Sequence, residues 1–157
     1  NTCLSLSYFT WQVDEKTGII LVKDVPEKKE ILSMADFVKL DATEGKILTG
    51  SAILQDQADI LESWGSSETI ITCSEGALAQ GNGKRAFVAF SHRCIKGRMG
   101  RGDTCMAAYL VRRLDHSLEE SLRFAVAATS IKLELNGPFS GSVEDVIERV
   151  NTSGDNS

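Results

Sequence analysis

The stretch GRMGRGDTCMAAYL, from Gly97 to Leu110, crowds three glycines and three charged residues into seven positions and then turns abruptly apolar and helix-favouring. A helix opens with backbone amides that have no partner. Its dipole adds partial positive charge at the same end, and glycines let a bulky anion approach the backbone. Gly100, Arg101, Gly102 and Asp103 therefore form a phosphate or oxyanion site in which the amides of residues 101–103 face the charge that grows during phosphoryl transfer. The dipole favours the negative charge of Asp103. An ionised aspartate beside an anion trap can take the proton of an alcohol that attacks a phosphoryl group. The plainer interpretation makes Asp103 only an N-cap and the glycines only a turn, and on this stretch alone it stands first. Arg98 and Arg101 either grip phosphate or belong to a solvated loop.

The elements that must position these residues can be read from periodicity and punctuation. Residues 4–9 alternate apolar and polar as a strand does, and 18–22 (GIILV) form a second strand. Pro26 opens a helix that continues over 27–34. A short apolar strand covers 37–40, and a short helix over 42–48 is closed by Gly50. A helix over 51–64 lines up Ile53, Leu54, Ile60, Leu61 and Trp64 and stops at Gly65. ETIITC (68–73) is a strand of the buried type, and GALAQG and RAFVAF, joined by a glycine turn, make a hairpin. A long loop over 91–102 leads to a helix over 104–114. Ser117 caps the next helix, with Glu120 completing a capping box, and that helix runs to 133. After NGPFSG, Ser142 caps a last helix to 150. Strands alternating with helices imply an α/β sandwich with a mainly parallel sheet, whose ligands bind beyond the carboxyl ends of the strands. Residues 1–150 form the domain and 151–157 a disordered polar tail.

A chain of 157 residues with 42% hydrophobic and 25% charged residues is the size and composition of one globular domain. Its net charge of −5 gives no general pull toward nucleic acid or an anionic membrane. No apolar run is long enough to cross a bilayer and no secretory signal is visible. Cys3, Cys73, Cys94 and Cys105 lack zinc-site or C-x-x-C spacing, so reduced thiols in a cytoplasmic protein are expected. Arg101-Gly102-Asp103 spells an adhesion tripeptide and Asn151-Thr152-Ser153 a glycosylation pattern, and both are read as chance.

Three ordered segments carry a family resemblance. ADFVKLDATEGKILTG, ETIITCSEGAL and GRGDTCMAAYLVRRLDHSLEESLRFAVAATSIKLELNG resemble segments of the ribokinase-like (PfkB) carbohydrate kinases, the last being similar to their G-[AR]-G-D signature. The resemblance spans roughly residues 4–150. It implies a Rossmann-like three-layer α/β sandwich with a mainly parallel sheet. It also implies a kinase that moves the γ-phosphate of ATP to an alcohol of a sugar, cyclitol or nucleoside, with Asp103 as base and the 101–103 amides as anion hole. Asp41 and Glu44 match positions that organise Mg²⁺ and phosphates, a use that suits carboxylates. By themselves they are a helix N-cap and a solvated helix face. Thr72 and Ser74 match the turn that lies along the nucleotide, though turn chemistry alone also explains them.

Several positions depart from the family pattern. Asp41 stands where Asn is usual, and the turn TCSEG is one residue short. Gly97 replaces an aspartate that serves a monovalent cation, which puts a potassium requirement in doubt. Val126 replaces a polar residue that contacts adenine, so contact with the base there is apolar. The resemblance begins near the middle of a family fold about twice this length. The expectation is a C-terminal part, incomplete on its N-terminal side, partnered by the missing half or by a second copy. The alternative is a non-catalytic nucleotide-binding fragment or subunit. A nicotinamide-dependent oxidoreductase has little support, because no G-x-G-x-x-G follows the first strand with an acidic residue beyond.

Overall fold

The computed structural model describes residues 2–5, 11–22 and 25–154. The chain divides into two compact units, residues 1–73 with 79–84, and residues 74–78 with 85–157.

In the first unit, strand β1 (Cys3–Ser5) pairs in parallel with β4 (Phe37–Asp41), and β4 pairs in parallel with β5 (Glu68–Thr72). Register sets Asp41 opposite Thr72, so both end their strands at one edge. Strands β2 (Trp11–Val13) and β3 (Ile20–Val22) form a separate antiparallel ribbon. Helix α1 (Lys28–Ser33) leads into β4. Helices α2 (Ala42–Thr49) and α3 (Leu54–Ser63) fill the crossover from β4 to β5, as parallel pairing requires. Gly50, at φ 81°, ends α2 in the left-handed conformation that suits glycine. Every residue of β5 is buried, Glu68, Thr69 and Thr72 included, as expected of a strand of the buried type. Helix α3 turns Gln57, Ala58 and Leu61 inward, whereas Ile53 precedes the helix and lies exposed. The expected apolar stripe is thus rotated, with Gln57 anchored by its amide to the carbonyls of Ala42 and Ser51. The expected strand over 4–9 is seen through Ser5, and its remainder lies outside the described residues.

Strand β6 (Gly76–Gly81) contributes residues to both units. It neighbours β5 after a three-residue link, a connection too short for anything but antiparallel pairing. Asn82 and Gly83, at φ 52° and 71°, turn the chain into β7 (Lys84–Ala89), which is the Asn-Gly hairpin turn. The expected α/β architecture is present, with parallel pairing at β1, β4 and β5 and antiparallel hairpins thereafter. Gly76 allows close approach of the hairpin strands, since a side chain there would meet the Val88 carbonyl.

The second unit is built on α4 (Arg101–Arg113), α5 (Leu118–Leu133) and α6 (Val143–Gly154). Cys105 and Tyr109, one turn apart, are the buried face of α4. Helix α5 is apolar on nearly every side and buries Leu118, Leu122, Ala125, Val126 and Leu133. Ala127, Ala128 and Val146 form a small core with Phe124, Ile131, Phe139 and Val150 packed on it. Ser117 and Glu120 make the expected capping box. At α6, Ser142 and Asp145 exchange reciprocal bonds of 2.7 and 3.1 Å. Helix α6 continues to Gly154, past the expected boundary at 150, so residues 151–154 are helical and residues 155–157 lie outside the described residues. Among the described residues no helix is long and apolar enough to cross a membrane.

Candidate active site

Helix α4 begins at Arg101, three residues before the start expected from sequence. Gly100 makes the difference: at φ 76° it is a left-handed N-cap that turns the chain straight into the helix. Arg101, Gly102 and Asp103 are therefore the first helical turn and not the end of a loop. The Arg101 amide reaches the Arg98 carbonyl at 3.3 Å, and the Thr104 amide reaches the Gly100 carbonyl at 2.9 Å. The amides of Gly102 and Asp103 have no acceptor among the described residues. Asp103 is exposed on this turn, and no side-chain oxygen caps it. The helix end is thus left open to an anion.

The turn opens onto a cavity of about 410 Å³ lined by Gly97, Gly100, Asp103, Thr104, Lys132 and Phe139 among others. A second, more apolar cavity of about 470 Å³ shares Asp103, Thr104 and Phe139. The side chains of Arg98 and Arg101 line neither cavity, and Arg98 is exposed. The cation at the cavity wall is Lys132, only 2% exposed, whose Nζ donates to the Gly97 carbonyl at 3.4 Å. Sequence reasoning passed over Lys132 because a lysine in a last helical turn is ordinary. Its spacing held the signal. Leu118, Leu122, Ala125, Thr129 and Lys132 follow the helical period and are all buried.

Val126 is 1% exposed and lines a separate cavity of about 190 Å³ with Phe87, Val88, Arg123, Ala127 and Val150. Ser74 is exposed in the turn between β5 and β6.

In the first unit, Asp41 and Glu44 form the capping box of α2. Asp41 Oδ1 accepts from the Thr43 and Glu44 amides at 2.8 and 2.9 Å, and Glu44 Oε2 accepts from the Asp41 amide at 2.6 Å. Glu44 is 3% exposed and is not the solvated helix face that its position in sequence suggests. Asp41 Oδ2 and Glu44 Oε1 keep no partner among the described residues. No cluster of three or more metal-binding side chains occurs among them either. Two carboxylates with one free oxygen each fit Mg²⁺, which keeps several waters and needs few protein ligands. Thr72 is 1% exposed and turns its hydroxyl to the Leu40 carbonyl at 3.5 Å, inward from the strand end.

Comparison with known proteins sets these features in a family. The chain superposes with a TM-score of 0.83 on a pyrophosphate-dependent kinase of the ribokinase family complexed with a pyrophosphate analog and myo-inositol, at 29% identity, covering 93% of this chain and 52% of that one. It is similar, with 30% identity and a TM-score of 0.83 over 98% of this chain and 53% of the other, to a pyrophosphate-dependent myo-inositol-1 kinase converted into a myo-inositol-3 kinase. Ribokinase of Arabidopsis thaliana, complexed with ribose and ATP, shares the fold at 24% identity and a TM-score of 0.71, covering 82% of this chain and 44% of that one. No curated protein matches the chain. The chain spans about half the length of these structures. A family model described as pfkB family carbohydrate kinase matches residues 16–145. With its ribokinase-like α/β fold and this match over most of its length, the chain belongs to the pfkB family of carbohydrate kinases.

Proposed function

We propose that this chain supplies the base and the anion hole of a phosphotransferase acting on an alcohol of a sugar, cyclitol or nucleoside. The observation that carries the proposal is the first turn of α4. An exposed Asp103 carboxylate and two partnerless amides open there on one cavity. The acceptor hydroxyl gives its proton to Asp103 as its oxygen bonds to the phosphorus. The bond from phosphorus to the donor's bridging oxygen breaks, and the departing ADP or phosphate takes that electron pair. The partnerless amides of Gly102 and Asp103 hold the equatorial oxygens throughout, while the Arg101 amide is engaged by the Arg98 carbonyl. Mg²⁺, when bound, would supply positive charge that offsets the charge of the phosphate donor. Asp41 and Glu44 would hold it through their free oxygens.

ATP is the donor the family motif suggests, and inorganic pyrophosphate is the second. The pyrophosphate-dependent neighbours are more similar in sequence than the ATP-bound ribokinase. Acceptor panels with ribose, myo-inositol and adenosine should therefore be run with both donors. The Asp103→Asn variant of the kinase that contains this chain should lose about 10²- to 10⁴-fold in kcat, while donor binding holds. Undiminished turnover would remove Asp103 as base. The alternative is a non-catalytic nucleotide-binding fragment or subunit with the kinase fold. Retained donor binding with no transfer to any acceptor would establish it.

A further inference from the structure

The ammonium of Lys132 is an unusual thing to bury. It carries three N–H donors and makes one long bond, 3.4 Å, to the Gly97 carbonyl. No carboxylate pairs with it among the described residues, Asp103 included, although both line the same cavity. An unpaired buried cation is costly, and such a group normally finds a counter-charge. The side chain runs directly beneath the turn that precedes α4. A Cβ added at Gly97 would stand 3.8 Å from its Nζ, and one added at Gly100 would stand 3.9 Å from its Cε. Fixed positive charge and partnerless first-turn amides thus meet on one cavity wall, with glycine backbone between them.

We infer that Lys132 is the fixed cation of this anion site and that its ammonium binds a phosphoryl oxygen of the donor. The inference rests on the proposed phosphoryl transfer, but it concerns binding and not the proton step. Arg98 and Arg101, the cations nearest in sequence, are then not needed inside the cavity.

The test is calorimetric titration of the full chain with inorganic pyrophosphate, using wild type, Lys132→Met, Lys132→Gln and Asp103→Asn. Wild type should bind. Lys132→Met should keep its circular dichroism and a Tm at or above that of wild type, because an unpaired buried charge is gone, and should bind about 10- to 100-fold more weakly. Lys132→Gln can still donate to the Gly97 carbonyl but carries no charge, and it should lose the same affinity. Should Lys132→Met not fold, Lys132→Gln decides alone. Wild-type affinity in Lys132→Gln would mean that the residue only ties down Gly97, and would overturn the inference. So would absence of pyrophosphate binding by the folded wild type. Asp103→Asn should bind pyrophosphate at least as well as wild type. Failure of the base assignment would appear only as transfer by that variant, and would leave the Lys132 result standing.

Discussion

Asp41 is assigned two duties, capping a helix and holding a metal, and substitution can separate them. Its Oδ1 satisfies the Thr43 and Glu44 amides at the start of α2, and Glu44 returns a bond to the Asp41 amide. Asp41→Ala removes the first two bonds and leaves the third. Loss of an N-cap costs about 0.5–2 kcal/mol. The upper half of that range applies here, because Glu44 is buried at 3% exposure and water cannot readily replace the lost acceptor. In a domain of this size about 1.5 kcal/mol lowers Tm by about 3–6 °C. Asp41→Asn keeps a capping oxygen and should stay within about 0.5 kcal/mol of wild type. Urea midpoints and Tm for the three proteins measure the cap. Donor titrations across a Mg²⁺ series measure the metal. The expected pattern is a destabilised Ala variant, and a stable Asn variant whose donor binding needs more Mg²⁺. An Ala variant as stable as wild type would refute the capping account. An Asn variant with unchanged Mg²⁺ dependence would remove Asp41 from the metal site.

Two further predictions concern the second unit. Arg149 donates to both oxygens of Glu134 at 2.9 and 3.2 Å, the Arg93 amide adds a bond at 2.8 Å, and together they hold the Glu134 carboxyl below its ordinary range. A carboxyl depressed by folding stabilises the native state above its unfolded pKa, and that contribution is lost as pH falls through the folded value. Urea midpoints should therefore show Glu134→Gln less stable than wild type at neutral pH, with the gap closing as pH falls below the ordinary carboxylate range. A gap that does not change with pH would refute the linkage. Gly100→Ala should cost about 1–2 kcal/mol, because φ is 76° and an L-residue is strained there. Its Cβ would meet only the Lys132 Cε at an ordinary 3.9 Å, so the cost is one of backbone conformation. An unchanged urea midpoint would show that the turn relaxes freely.

What the sequence disclosed and what it withheld follow one physical line. The Ser117–Glu120 capping box, the hairpin turned at Asn82-Gly83 and the buried strand β5 depend on near neighbours, and each was legible, whereas the Asp41–Glu44 box was read only as a cap and a solvated face. The start of α4 was not, because GRGD looks like a loop until Gly100 adopts its left-handed conformation and frees Arg101 to be the first helical residue. The burial of Lys132 depends on what packs across from α5, which periodicity indicates but charge argues against. The hardest case is the one with most at stake. Asp41 with Glu44, Ser117 with Glu120, and Ser142 with Asp145 all carry the same reciprocal bonds. The pattern reports a helix start and says nothing about chemistry. Ser117 follows the end of α4 and Ser142 follows a loop, whereas Asp41 ends a parallel strand beside Thr72. The carboxyl edge of a parallel sheet is where ligands bind, so strand register supports the proposal, drawn from the family resemblance, that the first of the three caps holds a metal.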